Sequence, residues 1–175
     1  FCVRDAEGRL VAQSWFWRNQ YTGCFDNIEI PHRIFELYEK EHPDVGRKGL
    51  TTDVLEVYKK AAQDLMQEDA RVYQELFDNG TITQEQYDSL VFGKITIGAG
   101  YNDIKKSLRE AHERGEFGLD QSNKVLPIKT DRLKNIYDDA HYANDGEHDG
   151  QYIVVGKEKD AKSEYKNLYV HQDDI

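Results

Sequence analysis

The segment His42-Pro43-Asp44-Val45-Gly46-Arg47-Lys48-Gly49-Leu50-Thr51 holds the chemistry-bearing residues with the clearest spacing. Two glycines bracket an Arg-Lys pair directly ahead of a helical pattern. Amides at a helix N-terminus point outward, the helix dipole favours negative charge there, and glycine lets a ligand approach the backbone closely. Arg47 and Lys48 add formal positive charge. The chemistry such a turn supports is the holding of a phosphate or diphosphate. The plainer reading, a basic-tipped glycine loop before an ordinary helix, stands beside it.

Other polar clusters carry less. Asp145-x-Glu147-x-Asp149-Gly150 partly follows a calcium-loop spacing, but its twelfth position is Gly156, where a bidentate Glu is required. His141 and His148 lack the second pair of ligands that a structural zinc site needs. The stretch reads as a solvated acidic loop, and no metal is expected. Cys24 has no histidine nearby in sequence, so its thiol reads as inert strand filling. Trp15, Phe16 and Trp17 read as sheet core before they read as the wall of an apolar pocket.

The elements that must position these residues follow from periodicity. Phe1 to Arg4, Leu10 to Arg18 and Cys24 to Ile30 are rich in aromatic and β-branched residues and are separated by polar turns. They predict an antiparallel meander closed by Pro31, which cannot donate to a ladder. Phe35-Glu36-Leu37-Tyr38 adds an extra helical turn. Val54, Leu55, Tyr58, Ala61, Ala62 and Leu65 then recur at helical spacing. A helix from about 53 to 67 is expected, with Asp53 and Glu56 as a capping box. A further helix over about 69 to 78 ends at Asn79-Gly80, and Thr83 with Gln86 boxes a short helix carrying Tyr87 and Leu90. Residues 68 to 92 thus read as a helical hairpin.

Ile95-Thr96-Ile97 predicts a strand, and Asn102 or Asp103 caps a helix that stops at Gly115. Lys124 to Lys129 is a candidate strand, and Gln151 to Val155 with Lys166 to Val170 a closing hairpin. The order predicts an α/β domain with a mixed, mostly antiparallel sheet flanked by helices.

Composition sets the limits. A chain of 175 residues suits a single domain, and 38 % hydrophobic residues can build a core. A net charge of −10 repels phosphodiester backbones and anionic lipid surfaces, so neither nucleic acid nor membrane is an expected partner. The longest apolar runs, such as LVA and WFW, fall far short of the roughly 20 residues that span a bilayer. Two cysteines in a chain of this size need no disulfide, so the reducing cytoplasm is the default compartment. The start at Phe1, with no Met or leader, reads as a piece cut from a longer protein.

Meander, helix, strand, helix and terminal strands, together with the segment from His42 to Thr51, resemble the GNAT superfamily of N-acyltransferases. In that family an Arg/Gln-x-x-Gly-x-Gly/Ala pattern between central strand and central helix receives the coenzyme A pyrophosphate. With Gly49 on the first family glycine, Gly46 stands at the Arg/Gln position and Thr51 at the last position. Lys94-Ile95-Thr96-Ile97-Gly98-Ala99-Gly100-Tyr101-Asn102-Asp103 is similar to the family's next strand and helix start. There two central strands splay apart, and the pantetheine arm lies in the gap.

The resemblance implies a fold, a co-substrate and roles. Arg47, Lys48, Gly49 and Leu50 would hold the pyrophosphate of acetyl-CoA or another acyl-CoA, and Asn102 would line its thiol end. Backbone donors from Ile28 to Ile30 would polarise the thioester oxygen. Glu29, directly or through water, would take the proton of the amine acceptor. Tyr101 would protonate the departing thiolate, a role suited to a phenol with pKa near 10. Against the family pattern residues 68 to 92 look like a helical insertion, and this, the two motif departures and the fragment-like start favour an alternative: a catalytically degenerate binding or scaffold module of the same fold within a larger protein.

Overall fold

The computed structural model describes residues 1–19, 22–25, 28–91, 93–98, 102–120 and 151–156. Its first strands, β1 (Cys2–Arg4) and β2 (Leu10–Gln13), form an antiparallel hairpin with Val3 opposite Ala12. Gly8, at a φ of 81°, turns the chain between them. The expected strand from Leu10 to Arg18 breaks at Ser14-Trp15, and its second half, β3 (Phe16–Asn19), enters a different sheet. β3 pairs antiparallel with β4 (Thr22–Phe25), Trp17 opposite Cys24. The remainder of the third expected strand lies against the hairpin: Glu29 bridges Gln13.

The long helical pattern exceeds its expectation. α1 (His32–Glu41) is ten residues, well beyond one turn, and it follows Pro31, whose missing N–H costs nothing at a helix start. α2 (Gly46–Asp78) runs unbroken for 33 residues through the stretch read as two helices. Asp53 does not cap it; the chain enters through Val45 with no side-chain cap, and Gly46 takes a φ of 53° where α1 turns into α2. The α2 stripe extends to both sides of the expected one, with Leu50, Val54, Leu55, Tyr58, Ala62 and Met66 all buried. Asn79-Gly80 does end it, Gly80 at a φ of 74°. α3 (Gln84–Leu90) carries the expected Thr83–Gln86 capping box in full.

β5 (Lys94–Ile97) is buried along its whole length and pairs in parallel with β4, Phe25 opposite Ile97. A parallel pair requires a crossover, which α1, α2 and α3 supply. α4 (Asn102–Glu113) follows, and Gly115, at a φ of 75°, turns the chain into β6 (Gly118–Asp120). β7 (Gln151–Gly156) inserts antiparallel between β5 and β6, giving the order β3-β4-β5-β7-β6. The sheet is therefore mixed and small, and only its β4–β5 pair is parallel. The candidate strands at 124–129 and 166–170 lie outside the described residues.

One core joins these elements. Phe25, Ile28, Ile95 and Ile97 of the strands meet the buried stripe of α2 and Ile104, Leu108 and Ala111 of α4. Phe25 is ringed by Phe1, Phe16 and Tyr58 at centroid distances of 5.2, 4.8 and 5.0 Å. Trp15, read as core, is 60 % exposed. Cys24 is buried, as an inert thiol should be. The far end of α2 builds a second, smaller cluster with α3, in which Tyr73 and Val91 are buried. Among the described residues no helix is long and apolar enough to cross a membrane.

Candidate functional site

Residues 46–50, expected as a loop, form the first turn of α2. Within it the Gly46 N–H donates to His42 O at 3.0 Å and the Gly49 N–H to Val45 O at 3.1 Å. Among the described residues no backbone acceptor takes the Arg47 or Lys48 N–H, as the geometry of a helix start dictates. Gly49 is required by crowding: a Cβ there would stand 2.8 Å from Val45 Cβ. Leu50 points inward and is buried.

α4 begins beside this turn. Arg47 Nη1 lies 3.6 Å from Asp103 Oδ2, and Thr51 Oγ1 and Ser107 Oγ share a buried hydrogen bond of 2.6 Å. Contacts that advance four residues on both helices, 47 to 51 and 103 to 107, mean that α2 and α4 run side by side in the same direction. Their dipoles add rather than cancel, so two positive helix ends and two basic side chains converge. Carboxylates answer that charge. Arg47 Nε donates to Glu39 Oε1 at 3.1 Å and its guanidinium lies over the Phe35 ring at 5.1 Å. Lys48 Nζ pairs with Glu110 Oε2 at 2.7 Å, which holds the Glu110 carboxyl below the usual range. Asn102 is the first residue of α4.

The predicted thioester side is the segment Ile28–Ile30. Glu29 is exposed, and it exchanges backbone hydrogen bonds of 2.8 and 2.9 Å with Gln13. Its Oε2 accepts from Gln13 Nε2 at 3.0 Å. Alternation along a strand then turns the amides of Ile28 and Ile30 to the edge opposite Gln13. Among the described residues no backbone acceptor takes either N–H. β4 and β5 are paired up to Gly98, whose N–H donates to Phe25 O at 2.9 Å, and beyond β4 Glu29 bridges Gln13 of the β1–β2 hairpin. Tyr101, and the acidic stretch 141–150, lie outside the described residues. Among the described residues no group of three or more His, Cys, Asp or Glu side chains could hold a metal ion.

Sequence reasoning missed a second concavity. A cavity of about 300 Å³ opens between the β1–β2 hairpin and the α1–α2 corner, with Tyr38 and Asp53 in its lining. The Tyr38 O–H donates to Asp53 Oδ2 at 2.8 Å, and the His42 ring lies 4.5 Å from that of Tyr38. Burial and this bond to the Asp53 carboxylate raise the Tyr38 phenol above its ordinary pKa. Tyr38 and His42 stand four residues apart on the α1 pattern, so their adjacency was readable. Their meeting with Asp53 depended on α2 starting seven residues earlier than its capping signal implied. Comparison of the chain with protein-family models, with curated proteins and with solved structures found no match.

Proposed function

We propose that this chain is a GNAT-like N-acyltransferase domain that binds an acyl-CoA, in the simplest case acetyl-CoA, and passes the acyl group to an amine. The observation that carries the reading is the parallel β4–β5 pair, followed beyond β4 by a segment that bridges the β1–β2 hairpin through Glu29. β4 and β5 pair as far as Gly98, and beyond β4 the pairing of Glu29 with Gln13 leaves the Ile28 and Ile30 amides on the edge away from the hairpin. Amides held at that edge suit the oxygen of a thioester, whose developing negative charge they would stabilise. The adjoining starts of α2 and α4, with Arg47 and Lys48, suit a diphosphate. Gly49 and Leu50 serve the site by shape, letting the turn close and anchoring it to the core.

In this reading the neutral amine nitrogen attacks the thioester carbonyl, the new C–N bond forms and the C–S bond breaks. The amine proton passes to Glu29 or to a water it holds, and Tyr101 protonates the departing thiolate. Asn102 borders the thiol end.

A second reading, a degenerate binding or scaffold module of the same fold, has its own support. Three carboxylates, on Glu39, Asp103 and Glu110, already engage the two cations, and Val45 O takes the Gly49 amide. Titration with acetyl-CoA separates the two. At a hundred times the dissociation constant the ligand should add about 2.7 kcal/mol to stability. Arg47→Gln and Lys48→Gln should weaken binding. Glu29→Gln should spare binding and slow turnover by about 10²-fold or more. Binding without transfer to any amine favours the module, and the absence of a thermal shift removes the acyl-CoA reading.

A further inference from the structure

The lining of the cavity at the α1–α2 corner is largely aliphatic, from Val3, Val11, Ile34, Leu37, Leu50 and Val54. Its volume, about 300 Å³, is at the small end of ligand pockets. The charged side chains of its lining are Arg4, Arg9, Asp5, Glu41 and Asp53, with the His42 imidazole beside them. Both guanidiniums are engaged. Arg9 donates to Asp5 Oδ2 at 2.5 Å and approaches Glu7 at 3.4 Å, while Arg4 Nη1 donates to Gly8 O at 2.8 Å. Glu41 and Asp53 take part in no salt bridge among the described residues, although Arg9 lies near enough to Glu41 to feel its charge. Asp53 is oriented by Tyr38, whose bond to Oδ2 leaves Oδ1 open to a further donor.

We propose that this cavity is a binding site for a small aliphatic amine, its alkyl chain on the valine and leucine lining and its ammonium between Asp53 and Glu41. Three carboxylates against two guanidiniums leave the lining with one excess negative charge, and a chain charge of −10 reinforces it. An alkyl carboxylate would meet Asp53 and Glu41 as like charges. A neutral alcohol would bury the same chain and leave those two oxygens with water. The fit is thus to an amphiphile with one positive end, and it holds whether or not the chain transfers acyl groups.

The test titrates n-hexylammonium, hexanoate and n-hexanol separately into the full chain, without acetyl-CoA, following heat and backbone amide shifts. Hexylammonium should bind saturably and tightest of the three, moving amides of β1, the end of α1 and residues 50–57. Asp53→Asn and Glu41→Gln should each weaken it by up to about fivefold, the scale of an exposed ion pair. Val57 lines the same cavity and is 42 % exposed, so Val57→Arg is tolerated on the surface and sets a cation in the lining; it too should weaken binding. Tighter binding of hexanoate, equal binding of hexanol, an affinity untouched by all three substitutions, or no saturable binding would each overturn the proposal.

Discussion

Lys48 leans from the first turn of α2 to Glu110 on α4, and the pair makes the chemistry of that corner measurable at a single residue. The hydrogen bond from Lys48 is the largest reason the Glu110 carboxyl titrates low. A carboxyl with a depressed folded pKa lends stability above the unfolded value, near 4.3, and that stability is lost as pH falls through the folded pKa. Glu110 should therefore titrate below the ordinary Glu range by NMR, and Lys48→Gln should move it back up. A diphosphate seated on Lys48 would do the same by drawing the ammonium away. An unchanged Glu110 titration in Lys48→Gln would show that the ion pair does not form in solution.

Between elements, the contact that aligns α2 with α4 is the buried bond of Thr51 to Ser107, with Thr51 Oγ1 also donating to Lys48 O at 3.1 Å. Removing one hydroxyl strands the other away from water, which costs about 1–3 kcal/mol, whereas removing both leaves no orphan. Thr51→Val should therefore destabilise the chain more than the added Ser107→Ala does on top of it, and a double-mutant cycle in urea should return a coupling of about 1 kcal/mol. Additive losses would mean that the helices are aligned by apolar contact alone. The capping box of α3 and the positive φ of Gly80 and Gly115 were all readable, because each needs only residues within one turn.

At the scale of the molecule, burial among the described residues is divided between two clusters of unequal size. The main core ties the strands to α1, α4 and the first two-thirds of α2, while residues from Tyr73 onward depend on a small cluster with α3. Opening of that arm costs few buried contacts, so amides of residues 72–78 and 84–90 should exchange well before those of 54–66. Equal protection along α2 would show a single cooperative unit. The arm continues α2 without a break, since the helix runs unbroken from Gly46 to Asp78.

What periodicity and turn chemistry determined was local: the strands of the opening third, the apolar stripe of α2, the α3 box, β5, α4, β7 and an α/β class. These depend on alternation, helical spacing and glycine, which act over a few residues. Only the tertiary structure decided that Leu10 to Arg18 splits between two sheets, that α2 is one helix beginning at Gly46, and that β6 pairs with β7. Asp53 illustrates the difference: its capping signal was real in sequence, yet burial of Leu50 carries the helix seven residues further back, and the carboxylate is left to hold Tyr38 instead. Burial is a sum over distant partners, so it overrides a local preference of about 1 kcal/mol wherever the two conflict.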